Sequence, residues 1–419
     1  MDGPSRLRDA SRPAWLTAPV LTVSVLSVGS GIAQFSVTAV IGDVAATFGQ
    51  PGAGTELAAQ IGVPATTVGV ALSVIRLTSL GSLPLAALAD RFGRRSMLLT
   101  LSAIGFGITL LAALAPSFWV YVALVALARP ALSTVNALAG VVAAEEATTK
   151  DRSAAIAMIT AAYGLGAGVV SVGRGLLPGE PSFRVVTAFV VVPLLLLPLL
   201  ARAVREPRIA RDVERPHGLP GSLPRRFAGR VAILALLTGA IAVSTGPGFS
   251  WLFVYGEGTL GASPLFISML VLGAGPAGLA GILVGRAAAD RIGRRSAAGI
   301  AMAGTGLSVA YAYSGTPRDL AIGYLVAIAT SSAFAPPIGA LAAEMVPTSV
   351  RATVAGWMTT AGVLGAVLGL SMFGLLADLT ASFATPSLII GVGVAVGALG
   401  FAALPETRGR ELDELDGSR

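Results

Sequence analysis

Apolar runs of 20 residues or so follow one another along this chain, separated by short charged clusters, and that alternation leaves few folds open. They lie at 16–45, 65–89, 96–115, 118–143, 153–177, 183–204, 231–255, 265–289, 296–313, 320–345, 350–376 and 382–404. At 1.5 Å of rise per residue, each is long enough as a helix to cross about 30 Å of hydrocarbon. Composition agrees. Only 12% of the residues are charged, against about 25% in a soluble domain, and mean hydropathy is +0.80. Two soluble cores would need far more polar surface. The expected class is an all-α membrane protein with twelve transmembrane helices, in direct contact with the lipid bilayer.

The basic residues set the orientation. With the first tail inside, 24 of the 29 Lys and Arg fall in inside loops and tails, and three (Arg174, Arg184 and Arg318) fall outside. Arg76 and Arg129 lie within helices. This bias places both termini in the cytoplasm of a multi-pass cell-membrane protein. The net charge of +7 is accounted for by topology, so nucleic acid is not an expected partner. The first apolar run is too long for a signal-peptide core and is expected to stay as helix one.

The chain also repeats itself. "LADRFGRRSMLL" from Leu88 returns as "AADRIGRRSAAG" from Ala288, at an offset of 200. "AAEEATTKDRSA" from Ala143 matches "AAEMVPTSVRAT" from Ala342, pairing Glu145 with Glu344 and Arg152 with Arg351. "REPR" at Arg205 sits opposite "PETR" at Pro405. Six helices duplicated in one orientation give two pseudo-symmetric halves. The expected division is a tail at 1–15, a half at 16–204, a central loop at 205–229, a second half at 230–404 and a tail at 405–419.

The short turns have a local logic. Gly93 and Gly293 supply the positive φ that a tight reversal needs. Asp90 and Asp290 precede the next helix, where a carboxylate can cap backbone N–H groups. Arg91, Arg94, Arg95 and Arg294 can answer those carboxylates, helix C-termini or lipid phosphates. Such a cluster is either a basic turn that fixes topology or a breakable latch that holds one conformation. Glu145, Arg152, Glu344 and Arg351 invite the same two interpretations.

These motifs resemble the major facilitator superfamily over roughly residues 16–412. "ADRFGRR" is similar to that family's signature between its second and third helices, G-x-x-x-D-[RK]-x-G-[RK]-[RK], with Ala86 and Arg286 in place of the leading Gly. "EMVPTSVRATVAGW", "PETRGREL" and "REPR" resemble the sugar-porter and metabolite–proton symporter branch. The resemblance implies the major facilitator fold, alternating access, and a latch role for the loop residues. Arg129 resembles the fourth-helix arginine of an R-x-x-x-G pattern, here with Ser133, which in the family serves proton coupling or anion binding.

Arg76 and Arg129 both fall roughly 16–18 Å from the outer end of their helices. An arginine at that depth costs at least ~2.5–3.5 kcal/mol and should face a water-filled cavity or a partner. No acid is expected near the midplane. Asp43, Glu257 and Asp378 lie toward outer helix ends, and Gln34 and Phe35 stand where aromatic-acid symporters carry an acidic pair. The fifth helix lacks the G-P-x-x-G-G ending of drug–proton antiporters. Gln34, Ser133, Asn136, Tyr163, Trp251, Ser331, Ser332 and Trp357 could line a cavity or simply pack helices. Asp43 is the acid kept as a coupling candidate. Two midplane arginines without acids favour an anion.

No enzyme is expected. The chain has no Cys, and its single His217 lies in the central loop, so no cofactor, metal site or catalytic triad suggests itself. "GAGPAG" at Gly273 lies in an apolar helix, not in a strand–turn–helix setting. The expected function is a secondary active or facilitative transporter of a small organic solute, an organic anion or metabolite first, with proton coupling left open. It is expected to act as a monomer. The alternatives are drug efflux by proton antiport and a non-transporting membrane sensor.

Overall fold

The computed structural model describes residues 17–49, 56–148, 151–178, 182–203, 225–347 and 350–409. The expected tail 1–15, positions 205–224 of the central loop and the end of the last tail lie outside the described residues.

Among the described residues, twelve long helices follow the apolar runs. They are α1 (Ala18–Phe48), α2 (Ala65–Thr78, continued by a 3-10 turn at Ser79–Gly81 into Ser82–Phe92), α3 (Arg94–Ala112) and α4 (Phe118–Glu146). Next come α5 (Arg152–Leu176), α6 (Phe183–Ala203), α7 (Arg225–Ser250) and α8 (Pro264–Ile292). The last four are α9 (Arg294–Ala312), α10 (Pro317–Glu344), α11 (Arg351–Thr380) and α12 (Ala384–Ala403). All but α9 are long and apolar enough to cross a membrane by length and composition. The α9 helix opens on Arg294 and Arg295 and is the counterpart of α3 in the repeat. A short helix, Glu56–Ile61, follows α1, and a π-helical turn, Val254–Thr259, follows α7.

Helix starts repeat with the sequence. Ser117 caps α4 by accepting from the Val120 N–H (3.4 Å), and Thr316 caps α10 by accepting from Asp319 (3.1 Å). Both turns between the second and third helices of a half pivot on a glycine at positive φ, Gly93 at 90° and Gly293 at 97°. In each half the first and fifth helices press backbone to backbone. A Cβ at Gly31 would fall on the Tyr163 carbonyl, and one at Gly365 on the Gly239 carbonyl. Only glycine permits that approach.

The outer surface of the bundle is apolar. Leu195, Leu199, Leu236, Leu283 and Leu399 are all at least 60% exposed, which fits lipid and would be costly in water. The two ends differ. One carries the α2–α3 and α8–α9 turns and is called the basic face; the other is the far face. Hydrogen bonds between the halves sit toward the far face. Asp378 on α11 accepts from Ala65 and Thr66 on α2, the Ser73 hydroxyl donates to Val367 (2.9 Å), and the Ser268 hydroxyl donates to Ser171 (2.5 Å). Toward the basic face Gly140, Gly339 and Gly356 face open space. The halves are therefore closed at the far face and parted at the basic face.

Candidate functional site

A cavity of about 280 Å³ lies between the halves. Its walls differ in character. The N-terminal half contributes Gln34, Phe35 and Thr38 from α1, Leu72, Ile75 and Arg76 from α2, Arg129 from α4 and Tyr163 from α5. The C-terminal half contributes Thr245, Gly246, Phe249 and Ser250 from α7 and Ala366 and Leu370 from α11. Both arginines come from one half, and no carboxylate is among the described lining residues.

Local chain features bring those arginines together. Pro130 sits inside α4, where it removes an N–H and bends the helix. The 3-10 turn of α2 rests on that bend, with Gly81 against the Pro130 ring. Arg76 precedes the turn and Arg129 precedes the proline, so both project into the same space. Nε of Arg129 is buried and has no hydrogen-bond partner among the described residues. Gln34 is held by its Nε2 donating to the Ser30 hydroxyl (2.8 Å), which donates to the Leu132 carbonyl (3.0 Å). Its amide oxygen is left for the cavity. Tyr163 is set beside it by the close α1–α5 packing.

Of the residues expected to line a site, Arg76, Arg129, Gln34 and Tyr163 meet here. Trp251 does not. It is fully buried among Phe373 and Phe383, with ring centroids 5.6 and 5.4 Å away. Trp357 is 57% exposed on the part of α11 nearest the basic face. The Ser331 hydroxyl donates to Ile328 in its own helix (3.1 Å), and Ser332 lies against Gly278. Ser133 and Asn136 lie further along α4 than the cavity lining, and Oδ1 of Asn136 is buried with no partner among the described residues.

At the basic face the repeated charges form equivalent contacts. Arg94 pairs with Glu145, and Arg294 with Glu344 (3.3 Å). Nε of Arg152 donates to the Ala144 carbonyl and Nε of Arg351 to that of Ala343, both at 3.0 Å. These contacts lie within each half. Arg91 is exposed at the end of α2, and Arg95 donates to the Ala201 carbonyl at the end of α6 (2.8 Å). The Asp90 side chain lies outside the described residues. Asp290 departs from expectation. Its side chain is 63% exposed and 3.6 Å from Arg294, and it does not cap α9. Glu406 does, accepting from the N–H groups of Arg294 (2.8 Å) and Arg295 (3.1 Å). Asp290 belongs to the last turn of α8 and meets the Arg294 side chain instead of the α9 N–H groups; the tail folds back and supplies the carboxylate.

The far face holds a cluster that the sequence did not single out. Arg174, in the last turn of α5, has a side chain only 3% exposed. Its Nη2 donates to Asp43 on α1 at 2.8 Å and 2.9 Å, its Nη1 donates to Glu257 in the π-helical turn, and its guanidinium lies 5.4 Å from the Phe253 ring. Asp43 was a candidate and Arg174 was only an outside charge. Glu257 reads from the sequence as an acid near the outer end of helix seven. The sole sequence signal was three charges near outer helix ends. Burial pushes the Glu257 carboxyl above its ordinary value, against the opposing pull of Arg174.

A family model for the Major Facilitator Superfamily matches residues 23–288 and 259–417. Several solved structures share the fold. A D-xylose–proton symporter aligns with a TM-score of 0.74 at 18% identity, covering 94% of this chain and 99% of that one. The inward-open xylose transporter XylE from E. coli aligns at 0.73 and 17%, covering 95% and 98%. A point mutant of the nucleoside transporter NupG aligns at 0.72 and 14%, covering 92% and 99%. None of the curated protein sequences compared matches this chain.

Proposed function

The chain belongs to the major facilitator superfamily and is a multi-pass membrane transporter rather than an enzyme; we propose that it carries a small organic anion by alternating access through the cavity at Arg129 and Arg76. The observation that supports this most is the unbalanced charge of the cavity. Two arginines line it and no described carboxylate does. A guanidinium with an unpartnered Nε, held away from bulk water, gains most from a carboxylate or phosphate that meets its planar fork.

Size supports the same choice. A cavity of about 280 Å³ lies at the lower edge of the roughly 300–1,000 Å³ usual for ligand pockets. That favours a small solute over the bulky compounds of drug efflux. The opposite wall, with Phe249, Ala366 and Leu370, suits an apolar body behind the charged group. A sugar would call for more amide and hydroxyl groups than Gln34, Thr38, Thr245, Ser250 and Tyr163 provide.

Both termini lie in the cytoplasm in this proposal, because the basic turns mark the inside. The far face is then external and the arrangement is inward-open. The two halves rock about the cavity, and the basic-face loop residues Asp90 and Arg94 act as the latch when that side closes, the Arg94–Glu145 and Arg294–Glu344 pairs within each half being present already while it is open. The D-xylose–proton symporter makes proton coupling the first mode to test. The membrane is the cell membrane, and the protein acts as a monomer.

The test is counterflow in proteoliposomes with matched acids and amides, such as benzoate against benzamide and lactate against lactamide. The proposal expects exchange of an acid and none of its amide. Exchange of amides or sugars in preference to every acid would overturn it.

A further inference from the structure

The charge of the cavity calls for an anion, and one of its neutral groups calls for a second feature on the same molecule. We propose that the solute is a hydroxy acid and that Gln34 selects it, the amide oxygen accepting from the solute hydroxyl, a proposal that rests on the anion site at Arg129 and Arg76. Gln34 lines the cavity together with both arginines.

A relay of hydrogen bonds fixes which end of the amide meets the solute. The Leu132 carbonyl only accepts, so the Ser30 hydroxyl donates to it (3.0 Å). The Ser30 oxygen is then left to accept, and Gln34 offers it Nε2 (2.8 Å). Ser30 is fully buried and Gln34 is only 6% exposed, so bulk water does not compete for these bonds. Turning the amide over would set its oxygen against the Ser30 oxygen, or cost the Ser30–Leu132 bond. The same bond ties α1 to α4, and the backbone contact between Gly31 and Tyr163 holds α1 against α5. The free end of the amide is therefore its oxygen.

That oxygen has a restricted choice of partner. The two arginines only donate, and the hydroxyls of Thr38, Tyr163, Thr245 and Ser250 serve either way. Among the described lining side chains, only Oε1 of Gln34 accepts without donating. It takes no hydrogen bond from a described residue and is not sealed from the cavity. A carboxylate or an ether oxygen repels it, whereas an O–H or N–H answers it. An ammonium is the poorer donor, because both charged groups in the described lining are positive and no described carboxylate balances a third. A hydroxyl brings the donor without the charge. A cavity of about 280 Å³, with Phe249 and Leu370 on the opposite wall, leaves the rest of the solute small and apolar.

Selection comes from what a mismatched solute leaves behind. When the halves close over a deoxy acid, Oε1 is left without a donor. A methyl ether sets a second acceptor against it. A site that hydrogen-bonds a hydroxyl rejects the analogue lacking it more sharply than an apolar pocket rejects by size, because its own polar group goes unpaired. The hydroxyl is therefore worth roughly 5- to 100-fold in exchange, the range for one buried acceptor left unmatched.

The experiment is counterflow in proteoliposomes with two matched sets of acids. One is lactate, propionate and 2-methoxypropionate; the other is 3-hydroxybutyrate, butyrate and 3-methoxybutyrate. In at least one set the hydroxy acid should exchange roughly 5- to 100-fold faster than both analogues. Gln34→Met removes the amide at similar size and should bring that ratio toward one. Ser30→Ala frees the amide to turn and should lower the ratio in part. Acids that exchange with no preference for the hydroxyl would overturn the assignment of Gln34 and leave the anion site standing. Exchange of no acid at all would overturn the anion site, and the assignment with it. An undiminished ratio in Gln34→Met, with all members of a set slowed alike, would make Gln34 a packing residue and overturn its assignment. If Gln34→Met exchanges nothing, Ser30→Ala decides by the same ratio.

Discussion

Asp378 and Thr66 lock the start of one half's second helix to the end of the other half's fifth. The carboxylate accepts the Thr66 N–H at 2.8 Å and its hydroxyl at 2.6 Å, and it also takes the Ala65 N–H at 2.9 Å. Pro64, the residue before α2, has no side-chain oxygen to cap it, so the cap comes from α11. Helix capping thereby becomes a contact between halves. Losing a cap costs about 0.5–2 kcal/mol, which shifts the shut-to-open ratio by roughly 2- to 30-fold. Asp378→Ala should raise the labelling rate of a cysteine placed at Ser73, which is covered from the far face by this seam. The native chain has no Cys, so the signal is specific. An unchanged rate would mean that the cap does not hold the seam.

Arg129 is expected to bind the negative group of the solute. Arg129→Lys keeps the charge and loses the planar fork, so binding should weaken by about 1–3 kcal/mol. Arg129→Gln should cost an acid more than its amide. Counterflow with matched pairs measures this, and equal losses for both members would make Arg129 structural.

Glu406 and Gly293 form the hinge of the α8–α9 turn. Glu406→Ala leaves the first N–H groups of α9 without their carboxylate and should lower stability by about 1 kcal/mol. Gly293→Ala should cost about 1–3 kcal/mol from its backbone alone, since φ 97° with ψ 155° is a region open essentially to glycine. The new Cβ would also press on the Glu406 carboxylate. Thermal melts in detergent should show both losses. In the double variant they should add up to less than their sum, because the two residues share one contact.

The latch is expected to involve Asp90 together with Arg94. Asp90→Asn should keep the basic side open more of the time. A cysteine replacing Trp357, exposed in this arrangement, should then label faster, with little change in expression. An unchanged rate would leave the loop as a basic turn that fixes topology.

Orientation is checked by reporter fusions after Gln50 and after Arg215, which should report opposite sides of the membrane. Both on one side would end the topology, and with it the assignment of the far face to the exterior.

The spans, the duplicated halves and the turn glycines were legible in the sequence because each depends on neighbours in the chain. A helix needs only a long apolar run, and a tight turn needs only a residue that tolerates positive φ. Depth along a helix is also local, which is why Arg76 and Arg129 could be placed at one level. Which face a side chain presents is not local. Trp251 and Tyr163 looked alike as candidates, yet helix rotation put one among buried aromatic rings and the other in the cavity. The seam contacts are further still from the chain's local logic. Arg174 and Glu257 are 83 residues apart, Asp378 and Ala65 are 313 apart, and Glu406 reaches 112 residues back to α9. A charge near a helix end finds its partner only when the helices pack. Tertiary structure alone therefore decided that Arg174, one of three outside charges in the sequence, is buried between two carboxylates where the halves meet.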